Sequence, residues 1–527
     1  MKIANNQKFP HKVFLNFESG DSGYSFGDDI KASSSFSFTA DAGKTVTRDI
    51  LVPLSPPGGL SYSGNGSSVN VVLLGSMGNS SNNIRANREQ SQPAVLLSEA
   101  LFTPNASTLD SEITSKHASS YGSGEFSAKF DPKQLPDDWL AFSGYDSIIM
   151  TDTDWSDIPP GGRNAILSWV RLGGQLVIYS TSSTDRAALG LPKESSYGSI
   201  QIQSISSDLK LDAAETVKLV LDNPTEPQQQ SLRNGFDSGW PLQSQFGSQA
   251  FRYGLFIAVL VIFGILVGPI NLFVFAKSNK RHKLFITTPL ISLAASLLLI
   301  ALIIIQDGFG GNGIRRVLME VRPDGDLNAA YLHQEQFCRT GVLTKSDFTI
   351  DTPVAFTPVS IEESRWARFT DRLGNKGNFD LQPDGGKFQA SGDWFQSRSE
   401  HGHVLSAVVS TRGRIEKTTT ANTMISTFEY PIDTLYYVDE KKQWFRAENI
   451  STGKSFTLAA VDASMVAPVL EKEANAFAAR NQKFLDSTRE RPGHFIAITN
   501  SAPGIQTNPA VRWKETRTII TGPIVSP

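Results

Sequence analysis

Three aspartates, Asp152, Asp154 and Asp157, follow the apolar run Tyr145–Met150. Carboxylates clustered in this way are hard oxygen ligands suited to Mg²⁺ or Ca²⁺. The competing reading is a solvated loop in which Asp157 caps the next helix. His401 and His403 would place two imidazoles on one face of a strand, half of a metal site. No third ligand accompanies them, so the pair reads as a coincidence of sequence, and no cofactor is expected. Cys338 is the single cysteine, which excludes an intramolecular disulfide and a cysteine-based zinc centre.

The elements that would position these residues are legible in the hydropathy pattern. Val69–Leu74, Tyr145–Met150 and Gln175–Tyr179 are nearly continuous apolar runs, as in strands buried on both faces. Gly162–Leu172 is an amphipathic helix with Ala165, Ile166, Trp169 and Val170 on one stripe, stopped by Gly173-Gly174. Pro93–Phe102 also reads as helical. Strand, helix and strand joined by short connections imply a parallel sheet in an open α/β domain over residues 65–221. Ahead of it, Lys12–Phe17, Ser35–Thr39 and Val46–Val52 alternate between Gly, Asp and Ser turns and suggest a β-sandwich-like unit over residues 1–60. Residues 222–250 read as a flexible linker rich in Gln, Gly and Ser.

Residues 251–306 carry a different signal. Leu255–Phe275 and Leu284–Ile305 have no ionisable side chain, and each is long enough to span a ~30 Å hydrocarbon core. The short connection between them forces an antiparallel transmembrane hairpin, which puts the regions before and after it on one side of the bilayer. Lys277, Lys280, Arg281 and Lys283 crowd that connection and mark it as cytoplasmic, with both large regions extracytoplasmic. Met1–Lys8 is not followed by the apolar stretch of a signal peptide, so an export signal upstream of this start is expected. Gly264 and Gly268 form a GxxxG pair, expected to pack within the hairpin against the small-residue face Pro289, Ser292, Ala295 and Ser296. Asn271 is expected to bond backbone groups freed by Pro269.

Residues 307–527 read as a β-rich region of one or two sandwich-like units. Its strand signals are Val317–Val321, Val404–Val409, Thr423–Tyr430, Leu435–Val438, Ser455–Val461 and His494–Thr499. One helix, Pro468–Arg489, interrupts them, with Pro468 in its first turn and Leu470, Ala474, Phe477 and Phe484 on one stripe. Lys and Arg total 49 against 52 Asp and Glu, and no clustered basic face points to nucleic acid.

The segment Leu135–Ser180 resembles a family of bacterial membrane-anchored proteins of unknown function that carry a class I glutamine amidotransferase-like, flavodoxin-like domain. Leu135-Pro136, Trp139, Tyr145-Asp146, Trp169-Val170 and Gly173-Gly174 carry the likeness, together with Gly268-Pro269-Ile270-Asn271 ahead of a basic loop. The resemblance implies a nucleophile turn after Gln175–Tyr179. Here that turn reads Ser180-Thr181-Ser182-Ser183, with no cysteine and no glycine elbow. The histidines before the hairpin, His11 and His117, lie in polar stretches. The expectation is a non-enzymatic protein of the bacterial cell envelope, held in the inner membrane and binding a protein partner or ligand at its outer surface. A hydrolase or amidase with a degenerate site, and a subunit of a larger membrane complex, are the alternatives.

Overall fold

The computed structural model describes residues 2–21, 31–47, 67–75, 80–86, 93–116, 125–182, 185–192, 197–222, 240–247, 253–275, 278–324, 327–359, 361, 364, 378–384, 386–489 and 491–526. Among them the chain forms a parallel α/β sheet, large β-sheets and two adjacent long apolar helices.

The α/β sheet has five parallel strands in the spatial order Ser199–Ser204, Gln175–Ser180, Ser147–Thr151, Val95–Ser98, Ala128–Phe130. In chain order this is 2-1-3-4-5, the order of flavodoxin-like doubly wound sheets. Ser147–Thr151 and Gln175–Ser180 are buried along their whole length, which is why each reads as an unbroken apolar run. Helix Pro160–Arg171 covers one face with the predicted stripe Ala165, Ile166, Trp169 and Val170. It ends at Gly173, whose φ of +117° suits glycine alone, and Gly174 has no room for a side chain beside Trp169. Helices Glu99–Lys116 and Ala213–Leu221 cover the other face. Residues 95–98, expected to be helical, are strand instead, because all four side chains are buried between the two helical layers, and the helix starts at Glu99.

A nine-stranded mixed sheet dominates the region after the apolar helices. Its order is Val354–Val359, Glu400–Thr411, Leu327–Thr340, Gly311–Asp324, Val511–Pro523, His494–Thr499, Ile432–Val438, Trp444–Ile450, Ala459–Val461. Only Gly311–Asp324 and Val511–Pro523 pair in parallel. Ser455–Val461, expected as one strand, breaks at the buried Leu458 into Ser455–Thr457 and Ala459–Val461, which join different sheets. The single helix expected over 468–489 is two, Ala463–Ala474 and Ala479–Thr488. Asp462 caps the first, so Pro468 lies inside it. The break follows from Glu335, whose carboxylate accepts the Ala478 N–H and the Asn481 amide at the start of the second helix.

Val69–Leu74, expected in the α/β sheet, lies in Ser67–Gly75 and pairs antiparallel with His11–Asp21. An apolar run marks a strand but not which sheet it joins. The seven-stranded sheet that holds it runs Phe348–Ile350, Lys387–Gly392, Asn378–Asp384, Lys31–Ala40, His11–Asp21, Ser67–Gly75, Ser80–Ala86. Lys31–Ser33 pairs in parallel with Asn378–Asp380, so chain from before and after the apolar helices shares one sheet. The α/β unit adds a second junction, since Ala329 and Tyr331 of the nine-stranded sheet enter its core beside Trp169. These joints place both regions on the same side of the helical pair.

The pair itself comprises Tyr253–Ile265 continuing as a π-helix over Leu266–Phe275, then Leu284–Asp307. Spans of 19 and 22 residues have mean hydropathies of 2.7 and 2.2 and almost no buried side chains, so both could cross a membrane. The π-helical stretch contains Pro269, which cannot donate an i→i−4 bond.

Candidate functional site

Ligands of doubly wound sheets bind beyond the carboxyl ends of the strands. At that edge Thr151 caps helix Asp152–Asp157. Its Oγ1 accepts the Asp154 N–H at 3.0 Å, and Asp154 Oδ2 accepts the Thr151 N–H at 3.1 Å. Asp152 Oδ2 accepts the Ser180 hydroxyl at 2.6 Å, and Asp157 lies 3.6 Å from Lys133 Nζ. The three carboxylates therefore serve three separate structural tasks. The expected loop is a helix, and at 3.6 residues per turn positions 152 and 154 point to opposite sides. Among the described residues no group of three His, Cys, Asp or Glu could hold a metal ion.

Ser180, the implied nucleophile position, is 1% exposed. Besides Asp152 it engages Ser182, accepting that residue's N–H at 3.2 Å. Thr181 is exposed, whereas Ser183 and His117 lie outside the described residues. His11 pairs with Gln7 on an N-terminal strand.

His401 and His403 share a strand face as expected, their rings parallel at 6.1 Å. Three of their four ring nitrogens are engaged by protein groups. His403 Nε2 lies 2.9 Å from the Trp394 carbonyl and Nδ1 lies 3.3 Å from Gln336 Nε2, while His401 Nε2 accepts the Gln396 N–H at 2.9 Å. Burial, with the neighbouring His401, pushes His403 down to about 3, a neutral ring held by hydrogen bonds. Cys338 is fully buried, and burial pushes its thiol far above the ordinary range.

A dense polar constellation lies in the middle of strand Leu327–Thr340, over His333–Gln336. Glu335 accepts Trp240 Nε1–H at 3.0 Å, Ala478 N–H at 3.0 Å and Asn481 Nδ2–H at 2.6 Å. Burial holds its carboxyl above the usual range, opposed by those donors. His333 stacks on Tyr197 at 4.3 Å, and burial brings it down to about 3. The Tyr197 hydroxyl, pushed up to about 12 by burial, donates to Asn481 Oδ1 at 2.5 Å. One cluster thus ties together the α/β unit through Tyr197, the C-terminal helices through Asn481, and the segment before the first apolar helix through Trp240. Of the expected flexible linker, Trp240 is buried and Pro241–Phe246 is a helix docked on the sheet, so this part is fixed.

Beside this cluster opens a groove of about 720 Å³. Its walls are Gln245, helix Ala463–Ala474 and the strands carrying Arg316, Glu515 and Arg517. Arg316 reaches Glu515 at 2.8 Å and Gln245 at 2.7 Å, and Arg517 grips Glu473 with two nitrogens. Glu471 and Lys472 stand exposed at the rim. This lining offers paired charges and hydrogen-bonding groups.

In the helical pair, Asn271 is fully buried. It donates to Thr288 Oγ1 at 2.9 Å and accepts from Thr287 Oγ1 at 2.6 Å. It bridges the two helices and does not repair backbone near Pro269 as expected, because the facing helix offers two hydroxyls at that level. Gly264 and Gly268 have nothing within 4 Å of an added Cβ, so their face is turned away from the second helix. Arg281 and Lys283 are exposed in the 3₁₀ turn Ser278–Lys283, which also contains Lys280; Lys277 lies outside the described residues.

No protein-family model matches the chain, and no curated protein matches its sequence.

Proposed function

We propose that this protein is a non-enzymatic, membrane-anchored binding protein that captures a polar segment of a protein partner in the groove lined by Arg316, Lys472, Glu473, Glu515 and Arg517. The observation that carries this reading is the groove itself: about 720 Å³, lined by charges of both signs, between a docked helix and the sheet. The alternative of an envelope hydrolase is disfavoured by Ser180, which is buried and bonded to the Asp152 carboxylate. The charged loop between the apolar helices favours placing that loop in the cytoplasm and both large regions outside it. A photo-crosslinking residue at Lys472 should trap one adduct of fixed mass in cells, and the same residue at exposed Lys441 should trap none. Adducts at both positions, or at neither, sink the reading.

A second reading, a subunit of a larger membrane complex, is favoured by the open Gly264/Gly268 face, which lets another helix approach closely. The buried Cys338 will not report orientation, so a Cys338→Ser chain carrying Ser278→Cys or Lys441→Cys is the probe. An impermeant maleimide should label Lys441→Cys in intact cells and Ser278→Cys only after permeabilisation. The reverse pattern inverts the orientation.

A further inference from the structure

Only three residues separate the end of helix Leu284–Asp307 from strand Gly311–Asp324, and they are bonded throughout. Gly308 N–H donates to the Ile304 carbonyl at 2.8 Å, and the Gly308 carbonyl accepts Val342 N–H at 2.9 Å. Gly310 N–H donates to Val342 at 3.0 Å, and Gly341 N–H to Gly310 at 2.6 Å. A Cβ at Gly341 would collide with the carbonyl oxygens of Asp307 and Gly308, so chain crossing this closely requires glycine. Arg398 closes the joint: its N–H donates to the Gly341 carbonyl at 2.9 Å and its Nε to Asp307 Oδ2 at 2.6 Å. It does so at a φ of +58°, a conformation that costs a non-glycine residue energy and persists only where the surroundings impose it.

The segment that precedes the first apolar helix is tied to the same strand ends. Arg339, two residues before Gly341, donates to the Gly247 carbonyl at 3.0 Å, stacks over Phe246 and pairs with Glu400. A helix joined this tightly cannot swing independently of the sheet. Its uncharged stretch, Leu284–Ile305, is ~33 Å long at 1.5 Å per residue, which brings Asp307 to the boundary of a ~30 Å hydrocarbon core. Phe309 lies two residues beyond and is 67% exposed, paired to Val342 by a single bridge.

We infer that this edge of the nine-stranded sheet is seated in the phospholipid headgroup layer, with Phe309 inserted as its interfacial anchor. The inference rests on the reading that the two helices cross a bilayer. Bulky apolar side chains at a polar rim are favoured at the headgroup–acyl boundary. Two cations of the joint, Arg398 and Arg339, are already paired with Asp307 and Glu400.

The full chain, with Cys338→Ser and an environment-sensitive fluorophore at Phe309→Cys, Leu293→Cys or Lys441→Cys, tests this in phosphatidylcholine nanodiscs. Lipid spin-labelled in the headgroup should quench the Phe309 site several-fold more than the Lys441 site. Lipid spin-labelled deep in the acyl chain should quench Leu293, which should also resist iodide. If Leu293 is protected while Phe309 is no more quenched than Lys441, the seating is wrong and the membrane reading stands. If Leu293 is open to iodide, both fall.

Discussion

The central α/β strands and the stretch His333–Gln336 of strand Leu327–Thr340 are both buried, by opposite chemistry. Ser147–Thr151 and Gln175–Ser180 present apolar side chains to helices on both faces. Leu327–Thr340 presents His333, Gln334, Glu335 and Gln336, all buried, and each finds a partner distant in sequence. Apolar burial is non-directional and leaves a periodic trace in the sequence. Polar burial depends on geometry and leaves none, because each group must find its own partner.

Breaking the apolar side of this comparison should have the largest effect. Trp169→Ala empties a site that is 1% exposed and should destabilise the protein by about 3–5 kcal/mol in denaturant unfolding. A loss below that range would mean that the sheet collapses around the gap.

On the polar side, Glu335→Ala strands the donors of Trp240, Ala478 and Asn481, at about 1–3 kcal/mol for each left unmade, offset by removal of a buried carboxylate. A net loss of stability with Trp240 fluorescence shifted to the red is expected. A gain would show that the cluster burdens the fold.

The buried histidines sharpen the contrast through pH. His333 and His403 fall from 6.5 to about 3 on folding. The unfolded chain therefore binds the proton first, so their contribution is complete above pH 6.5 and is lost as pH falls toward 3. The loss is about 1.4 kcal/mol per pH unit for each ring. Glu320 and Glu335, raised from 4.5 by burial, act in the opposite sense and lose stability as pH rises through their folded values. Melting temperatures should drop on acidification below pH 6.5, and His403→Gln should flatten that drop. An unchanged slope in His403→Gln would show that the ring is protonated in the folded protein.

Smaller effects are expected at the edges. Ser180→Ala should cost about 1 kcal/mol through its bond to Asp152 and leave no hydrolytic activity to lose. Hydrolysis of ester or amide probes that vanishes in Ser180→Ala would restore the enzyme reading. Gly264→Ile, facing open space, should stay within about 0.5 kcal/mol. A larger change in detergent would reveal another molecule against that face.

Strands Ser147–Thr151 and Gln175–Ser180 and helix Pro160–Arg171 were legible because their burial is continuous or periodic, and both apolar helices because their long runs carry no charge. The sheet that claims Ser67–Gly75 was not, since the apolar run is the same in either sheet. Asp462, a capping residue ahead of the C-terminal helix, was a readable signal, and Pro468 masked it. The groove and Glu335 lay beyond reach, because their residues come together only when positions 240, 335 and 478 meet.

The parallel pairing of Gly311–Asp324 with Val511–Pro523 has a consequence in time. Synthesis delivers the first of these strands about 200 residues before its neighbour. Until Val511–Pro523 arrives, the half built on Glu400–Thr411 and the half built on His494–Thr499 have no common member. The wide sheet is therefore closed only once Val511–Pro523 has emerged, after the apolar helices are already made. A nascent chain carries an open seam in this sheet until then.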